Sequence, residues 1–321
     1  MSNYITVDGG TTNTRICLAV NGNIVDTIKY NVGAGKNIEN KNILKNTIKE
    51  GISEILKRNN MQSSEIRRIL ASGMLTSEYG IYTLEHINTP VGIKKLHEGM
   101  TETVISEISD IPFVLICGVK TDCKSFENAD MMRGEETELM GLADSIYGDC
   151  VYILPGSHSK IIKTDKTGEI TDFSTMLTGE MIAAVSQHTI LKAAVDLENA
   201  VLNNEYLMKG FEYCKENGIN KALFKVRVLN NIFSKTADEV YSFFMGVVLC
   251  EEILEIIKLK PKNVVIGGKR QIKKAMYEIL SCCISGKIIC VSDETAEKAA
   301  AVGMIKIFEF EAGSQLALDN G

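Results

Sequence analysis

Asp8-Gly9-Gly10-Thr11-Thr12-Asn13-Thr14-Arg15 contains a short turn between two apolar runs. Residues 4–8 precede it and residues 15–20 follow it, and both runs have the composition of β-strands. Asn21-Gly22-Asn23 then predicts a tight hairpin, because Asn and Gly tolerate positive φ, and residues 24–30 predict a third strand. The chain therefore opens on an antiparallel unit whose first turn is rich in glycine and threonine.

The middle of the chain repeats this plan, although residue identity between the copies is low. Residues 151–154 predict a strand, Pro155-Gly156-Ser157-His158-Ser159 a turn, and residues 160–164 a second strand. A hairpin turn at 165–168 leads to a third strand at 169–173, and a helical apolar pattern follows in both copies. The repeated order indicates an internal duplication, with a mixed sheet covered by helices in each half.

Composition restricts the kind of partner that the chain binds. With a net charge of −6, the chain has no overall attraction for nucleic acid or anionic membranes. No run reaches the roughly 18 apolar residues of a transmembrane helix. Nine cysteines are scattered without a C-x-x-C pair, and the four histidines show no metal-ligand spacing. We expect a cytoplasmic protein with reduced thiols, and a homo-oligomer is compatible with the sequence.

The first turn has the composition of a phosphate-binding loop. Gly9 and Gly10 let backbone N–H groups approach a phosphate closely, and Thr11 and Thr12 add hydroxyl donors. Asp8, at the end of the preceding strand, is able to hold Mg²⁺ through water, because hard cations take oxygen ligands. The alternative is a hairpin turn without a ligand.

The second turn occupies the equivalent place in the second copy. Gly156, Ser157 and His158 offer hydrogen-bond donors, and Lys160 follows on the next strand. Two such turns facing one another across a cleft would hold a triphosphate, which strengthens the phosphate interpretation of both. A solvated turn histidine is the alternative for His158.

The segment Arg133-Gly134-Glu135-Glu136-Thr137-Glu138 precedes a predicted helix and carries adjacent carboxylates. Like charges side by side raise one pKa, which suits a general base. The alternative is that these acids complement the positive end of the helix dipole, and composition alone favours that alternative.

Gly267-Gly268 separates a buried strand at residues 263–266 from a helix. Without side chains, the two glycines would let an adenine or ribose lie on the backbone. The alternative is close packing of the strand on the helix, and the glycines alone do not decide between the two. The long helix before this strand begins at a capping box formed by Thr236 and Glu239.

The order of these elements is that of the phosphate-1, catalytic-acid, phosphate-2 and adenosine elements of the actin-like superfamily. Within it, the chain resembles the 2-dehydro-3-deoxygalactonokinases. The matching segments are DGGTTNTR (8–15), MRGEETELMG (132–141), LPGSHSKIIK (154–163), FSTMLTGEM (173–181), SQHTIL (186–191), FKVRV (224–228) and GG (267–268). The chain departs from the family pattern at Gly9, where members carry Trp, and near residues 71–77.

The resemblance implies an α/β fold of the duplicated actin-like (ribonuclease H-like) type, with two domains of mixed sheets flanked by helices. The first domain would span residues 1–127, completed by a C-terminal helix at 295–310, and the second would span residues 128–294. The active site would lie in the interdomain cleft, with ATP and Mg²⁺ as cofactors and Asp8 as a metal ligand.

The implied activity is transfer of the ATP γ-phosphate to the 6-hydroxyl of a 2-dehydro-3-deoxy sugar acid, first of all 2-dehydro-3-deoxy-D-galactonate. In the superfamily order the base lies shortly before the second turn, and the candidate acids are Asp130, Glu135, Glu136 and Glu138, with Asp144 and Asp149 farther along. The acid–Thr pattern favours Glu136 as the base. Glu135 would serve structure or hold Mg²⁺ through water.

A sugar acid also requires a cation for its carboxylate. A guanidinium suits this role because it makes a planar two-point contact. Arg227 lies in a matching segment and is the first candidate, followed by Arg133 beside the acidic pair and then by Lys160. The alternative for Arg227 is a surface ion pair that contributes little.

Two other functions stay open. Gly134-Glu135-Glu136 also resembles the carboxylate pair of exopolyphosphatases, which would make the chain a phosphohydrolase whose base activates water. The other is a non-catalytic nucleotide-binding regulator, against which Asp8 and the glutamate pair argue. Phosphate release with and without a sugar acid separates the kinase from the hydrolase, and tight ATP binding without turnover would favour the regulator.

Overall fold

The computed structural model describes residues 2–37, 42–122, 124–142, 149–268 and 270–311. The chain divides into two compact units. Unit 1 comprises Met1–Gly148, Asp165–Asp172 and Glu294–Gly321, and unit 2 comprises Asp149–Thr164 and Phe173–Asp293. By contacts, the residues between 128 and 148 group with unit 1, whereas the predicted second domain begins at residue 128.

The first unit begins with the predicted hairpins. Its strands are β1 (Asn3–Gly9), β2 (Thr14–Val20), β3 (Asn23–Tyr30), β4 (Arg68–Gly73), β5 (Ile87–Asn88), β6 (Thr101–Ile105), β7 (Ser109–Leu115), β8 (Val119–Lys120) and β9 (Met131–Met132). Its helices are α1 (Ala34–Asn37), α2 (Ile43–Arg58), α3 (Ile93–Glu98) and α4 (Glu135–Leu142). Six strands form a sheet in the order β3-β2-β1-β4-β7-β6, and β5, β8 and β9 form a small one.

Local chemistry explains the first elements. Asn21 and Gly22 adopt φ of 53° and 79°, as the tight turn between β2 and β3 requires. Leu44, Ile48 and Ile55 of α2 are fully buried in the core of unit 1, because their spacing puts them on one helix face.

The remaining elements follow after residue 148. The strands are β10 (Cys150–Leu154), β11 (Ser159–Thr164), β12 (Ile170–Met176), β13 (Asn263–Ile266) and β14 (Lys287–Cys290). The helices are α5 (Thr178–His188), α6 (Asn204–Asn217), α7 (Ile219–Asn231), α8 (Ala237–Lys258), α9 (Arg270–Cys283) and α10 (Asp293–Phe308). The sheet order is β12-β11-β10-β13-β14. The capping box of Thr236 and Glu239 is formed at the start of α8, as predicted.

The two large sheets confirm the predicted α/β fold class and its duplicated plan. β1 pairs antiparallel with β2 and parallel with β4, and β10 pairs antiparallel with β11 and parallel with β13. Helices flank both sheets. The two candidate phosphate turns directly follow the corresponding strands β1 and β10. Within the described ranges, none of the helices has the length and apolar character needed to cross a bilayer.

Helix α10 completes unit 1 by packing closely against α4. A Cβ atom on Gly303 would lie 1.8 Å from the carbonyl oxygen of Thr137, and one on Gly141 would lie 1.9 Å from that of Ala299. Only glycine allows backbones to approach this closely, so the contact fixes the rotation of α4 about its axis. That rotation decides which of the helix's acidic side chains are buried.

Candidate active site

The turn after β1 is held in place by the segment that leads into α1. Ala34 N–H donates to the Gly10 carbonyl at 3.0 Å, and Gly35 N–H donates to the Thr11 carbonyl at 2.9 Å. Gly10 N–H donates to the Asn13 carbonyl at 2.8 Å, which closes the turn. Residues 10–13 are nevertheless exposed. The turn is therefore fixed in shape and open to a ligand.

Asp8, at the end of β1, lies beside the start of α4. It is opposite Arg15 in the β1–β2 register; burial raises the pKa of Asp8, and Arg15 opposes this. A Cβ atom on Gly73, whose φ is 75°, would lie 2.4 Å from the Gly9 carbonyl oxygen. A Cβ atom on Gly134 would lie 3.1 Å from Cα of Gly73. The two glycines thus bring the N-terminus of α4 against the strand end that carries Asp8.

Glu138 is the glutamate of α4 that faces Asp8. Burial raises the pKa of Glu138 to about 8, and repulsion from Asp8 and then Glu135 adds to the rise, while Arg15 opposes it. Glu135 lies three residues earlier in the helix and therefore shares this face. From the sequence, Glu138 is only one of the alternatives to Glu136 as the base, and Arg15 has no predicted role. The spacing of three residues between Glu135 and Glu138 indicates that both lie on one face of the helix.

The carboxylate of Glu136 is turned back onto the backbone of Gly134. It has no exposed surface, and its two carboxylate oxygens accept hydrogen bonds from Gly134 N–H at 2.8 and 2.9 Å. Burial and then repulsion from Glu135 raise the pKa of Glu136 to about 8. The role of Glu136 as the base stays a prediction. Because its carboxylate is buried and accepts from Gly134 N–H, the geometry favours Glu138 as the base. Asp144 lies outside the described residues.

The carboxylate of Asp8 suits a hard divalent cation, whose charge would also relieve the repulsion between Asp8 and Glu138. In the described part of the chain, no three His, Cys, Asp or Glu side chains are grouped to hold a metal ion by themselves. An ion held by one carboxylate would complete its coordination with phosphate and water oxygens, as Mg²⁺ commonly does. The residues present therefore suit Mg²⁺ that arrives with a nucleotide.

The contacts of Arg133 favour a structural role over the predicted contact with substrate. Its guanidinium donates to the carbonyl and hydroxyl of Thr76 at 2.8 and 2.9 Å and to the Leu84 carbonyl at 2.9 Å. It also lies 3.2 Å from Nδ1 of His86. Arg133 N–H donates to the carboxylate of Glu135 at 3.0 Å. Arg133 thus ties the segment around residues 76–86 to the start of α4.

His86 makes this tie sensitive to acid. Burial, then Arg133 and Lys120, lower the pKa of His86 to about 4 from its ordinary value of 6.5. The unfolded chain therefore binds a proton below pH 6.5 that the folded chain binds only near pH 4, so stability is lost as the pH falls through this window. Because His86 is only half-buried, we expect its contribution to be roughly 1 kcal/mol.

Thermal unfolding of the native protein and His86→Gln at pH 7.5 and pH 5 measures this contribution. The midpoint of the native protein should fall further between the two pH values than that of His86→Gln. Equal falls would show that His86 does not titrate in this way.

The second turn is held on the N-terminus of α5, within unit 2. Glu180 N–H donates to the Ser157 carbonyl at 3.2 Å, and the Glu180 carboxylate lies 3.1 Å from Nε2 of His158. A Cβ atom on Gly179 would lie 2.1 Å from the Gly156 carbonyl oxygen. Ser157 is exposed. The turn therefore offers its tip beside a helix N-terminus, which favours anions.

The two late glycines lie against the same turn. Gly267 N–H donates to the Ile153 carbonyl at 2.9 Å. Gly268 has φ of 72°, and a Cβ atom there would lie 2.6 Å from the carbonyl oxygen of Pro155. The predicted nucleotide residues of unit 2, namely Gly156, Ser157, His158, Gly267 and Gly268, are thus brought together.

The remaining predicted substrate residues, Lys160 and Arg227, differ in burial and in their contacts. Lys160 is almost fully buried, and its Nζ is 2.5 Å from the Thr175 hydroxyl, which favours a role in the fold. Arg227 lies on α7, where it is half-buried and donates to the Ile190 carbonyl at 3.4 Å. That long contact leaves most of the guanidinium's donors for a ligand.

Comparisons with known proteins extend over nearly the whole chain. A family model described as 2-keto-3-deoxy-galactonokinase (DGOK) matches residues 8–307. The 2-dehydro-3-deoxygalactonokinase of Escherichia coli K12 is 24% identical over 255 residues, covering 78% of this chain and 79% of that protein.

Solved structures share the fold. A candidate 2-dehydro-3-deoxygalactonokinase from Sinorhizobium meliloti has a TM-score of 0.77 at 20% identity, covering 95% of this chain and 97% of the other. The Clostridium difficile activator of 2-hydroxyisocaproyl-CoA dehydratase, solved with bound ADPNP, has a TM-score of 0.51 at 13% identity, covering 99% of each chain.

The family match begins at Asp8, the residue before the first turn, and ends within α10. It therefore includes both candidate turns, the acidic helix α4 and the two late glycines. The sequence resemblance and the duplicated fold agree with it. The chain belongs to the 2-keto-3-deoxy-galactonokinase family, a family of sugar-acid kinases with the actin-like fold.

Proposed function

We propose that the chain transfers the γ-phosphate of ATP to the 6-hydroxyl of 2-dehydro-3-deoxy-D-galactonate or a close stereoisomer. The observation that carries the proposal is the placement of Asp8 and Glu138 beside the exposed turn that follows β1. The related proteins named 2-dehydro-3-deoxygalactonokinase support the sugar acid as the substrate. The ADPNP bound to the Clostridium difficile activator supports an adenine nucleotide for this fold.

Each group near the turn has a definite task in this reaction. Backbone N–H groups of residues 11–13 and the hydroxyls of Thr11 and Thr12 bind phosphate oxygens. Asp8 would hold Mg²⁺, which would neutralise charge on the phosphates. Glu138 accepts the proton of the attacking hydroxyl, because a primary alcohol is a weak nucleophile until a base takes that proton. In unit 2, a second candidate phosphate site is formed by Gly156, Ser157 and the N-terminus of α5.

An ATP-consumption screen over 2-dehydro-3-deoxy sugar acids tests the proposal directly. We expect consumption that depends on the sugar acid, with the galactonate derivative among the best substrates. Phosphorus NMR of the product then reports whether the 6-hydroxyl carries the phosphate. Phosphate release that does not depend on any sugar acid would favour a phosphohydrolase, and tight ATP binding without turnover would favour a regulator.

Arg227 is proposed to bind the carboxylate of the sugar acid. Arg227→Ala is expected to raise the KM for the sugar acid about 10- to 100-fold, because a charge-assisted pair contributes roughly 1.5–3 kcal/mol. The KM for ATP should change little. Lys221→Ala is the matched control, since Lys221 is an exposed cation on the same helix and its Nζ donates to Oδ1 of Asn217 at 2.7 Å. An unchanged KM for the sugar acid in Arg227→Ala would remove Arg227 from the site.

A further inference from the structure

Helix α8 carries one acidic side chain deep in the core of unit 2. Glu252 is 1% exposed in a helix whose other buried residues are almost all apolar or small. A buried carboxylate is costly unless its oxygens are hydrogen-bonded. Such a residue within an apolar helix breaks the pattern expected of a core, and departures of this kind concentrate at functional positions.

The partners of Glu252 flank the second turn. Its Oε1 accepts a hydrogen bond from the Ser159 hydroxyl at 2.5 Å, and its Oε2 accepts one from the Thr178 hydroxyl at 2.5 Å. Ser159 is the first residue of β11, directly after the turn, and Thr178 is the first residue of α5. Both hydroxyl side chains are themselves buried. One carboxylate thus links the two segments that shape the candidate phosphate site of unit 2.

We propose that Glu252 is a positioning residue for nucleotide binding, holding the turn at residues 155–158 in register with the N-terminus of α5; this inference rests on the function proposed above. The close approach of Gly179 to Gly156 leaves no room for a side chain, so the two segments meet only in one arrangement. Without the link, the turn's N–H groups and those of α5 would no longer be fixed relative to one another. Preorganised donors bind an anion more tightly than mobile ones.

The ionic state of Glu252 suggests a conservative variant. Burial raises the pKa of Glu252, while the hydrogen bonds from the Ser159 and Thr178 hydroxyls oppose this rise. A glutamine amide has the same shape, accepts from one hydroxyl and donates to the other. Glu252→Gln should therefore keep the link, whereas Glu252→Ala removes it.

The test measures the Kd of ADPNP by calorimetry and the KM for ATP, each with the thermal midpoint. Glu252→Ala should raise both constants roughly 10- to 100-fold, as loss of a supporting contact does at other ligand sites. Glu252→Gln should stay within about threefold of the native protein. If Glu252→Ala does not fold, Ser159→Ala and Thr178→Val each remove one contact and should each raise the Kd several-fold.

Ser242→Ala is the matched control. Ser242 is fully buried on the same helix, but it contacts Asp238 and Asn203. It should lower the midpoint without changing the Kd. The inference is overturned if Glu252→Ala binds ADPNP normally, or if Ser242→Ala or Glu252→Gln weakens binding as much as Glu252→Ala does. Binding of ADPNP needs no sugar acid, so a failed substrate screen would contradict the proposed function and leave this inference standing.

Discussion

Glu138→Gln is expected to lower kcat by roughly 10²–10⁴-fold, the usual contribution of a positioned general base. Gln has nearly the same shape, so α4 should keep its packing and the KM for ATP should change little. Glu138 receives this assignment because it faces Asp8 and is half-buried. Steady-state kinetics with the best sugar acid from the substrate screen measures the loss.

Glu136→Gln is the matched comparison, because it makes the same chemical change two residues earlier. Gln still accepts a hydrogen bond from Gly134 N–H, so we expect less than a tenfold loss of kcat. A pH profile adds a second reading: because burial raises the pKa of Glu138 and the base acts only when ionised, kcat/KM should fall as the pH drops through that pKa, and Mg²⁺ on Asp8 would move the fall to lower pH. A large loss in Glu136→Gln with normal turnover in Glu138→Gln would return the role to Glu136.

Asp8→Asn is expected to lower kcat/KM by roughly 10²–10³-fold, as removal of one preorganised electrostatic group does in other enzymes. The amide keeps the shape of the carboxylate but loses the charge that attracts Mg²⁺. The dependence on Mg²⁺ should therefore shift to higher concentrations. Titration of activity with Mg²⁺ at fixed ATP measures both effects.

Asp26→Asn serves as the control for Asp8→Asn. Asp26 lies on β3 of the same sheet and pairs with Arg58 at 2.9 Å, so its loss should affect stability rather than Mg²⁺ dependence. An Asp8→Asn protein with a normal Mg²⁺ requirement would show that Asp8 does not hold the metal.

Most of the fold could be predicted because its signals are local. The turn at Asn21 and Gly22 needs positive φ, and the capping box at Thr236 and Glu239 lies within four residues of chain. Repetition of the strand order supplied the duplicated plan. The boundary of unit 1 depends on distant packing, since α4 is held by α10, and no local pattern carries that information.

The site was less predictable because its geometry depends on packing between residues that are far apart in the chain. Whether Glu136 or Glu138 is accessible depends on the rotation of α4, which the contact with α10 sets. From the sequence, Arg133 was a candidate for binding the substrate carboxylate. Its guanidinium is instead bonded to Thr76 and Leu84, about fifty residues earlier in the chain, which sequence spacing does not reveal. Glu252 lies 93 residues from its partner Ser159 and could not be connected to the turn by sequence spacing.

The placement of α10 has a consequence for the order in which the chain folds during synthesis. Unit 1 draws its last segment from Glu294 onward, whereas unit 2 ends at Asp293. As the ribosome works from the N-terminus, the residues of unit 2 are all made before α10 emerges. Unit 1 is translated first but is completed last. The face of α4 that packs on Gly303 stays uncovered until α10 has been made. A chain truncated before residue 294 and released from the ribosome should expose unit 1, but not unit 2, to limited proteolysis.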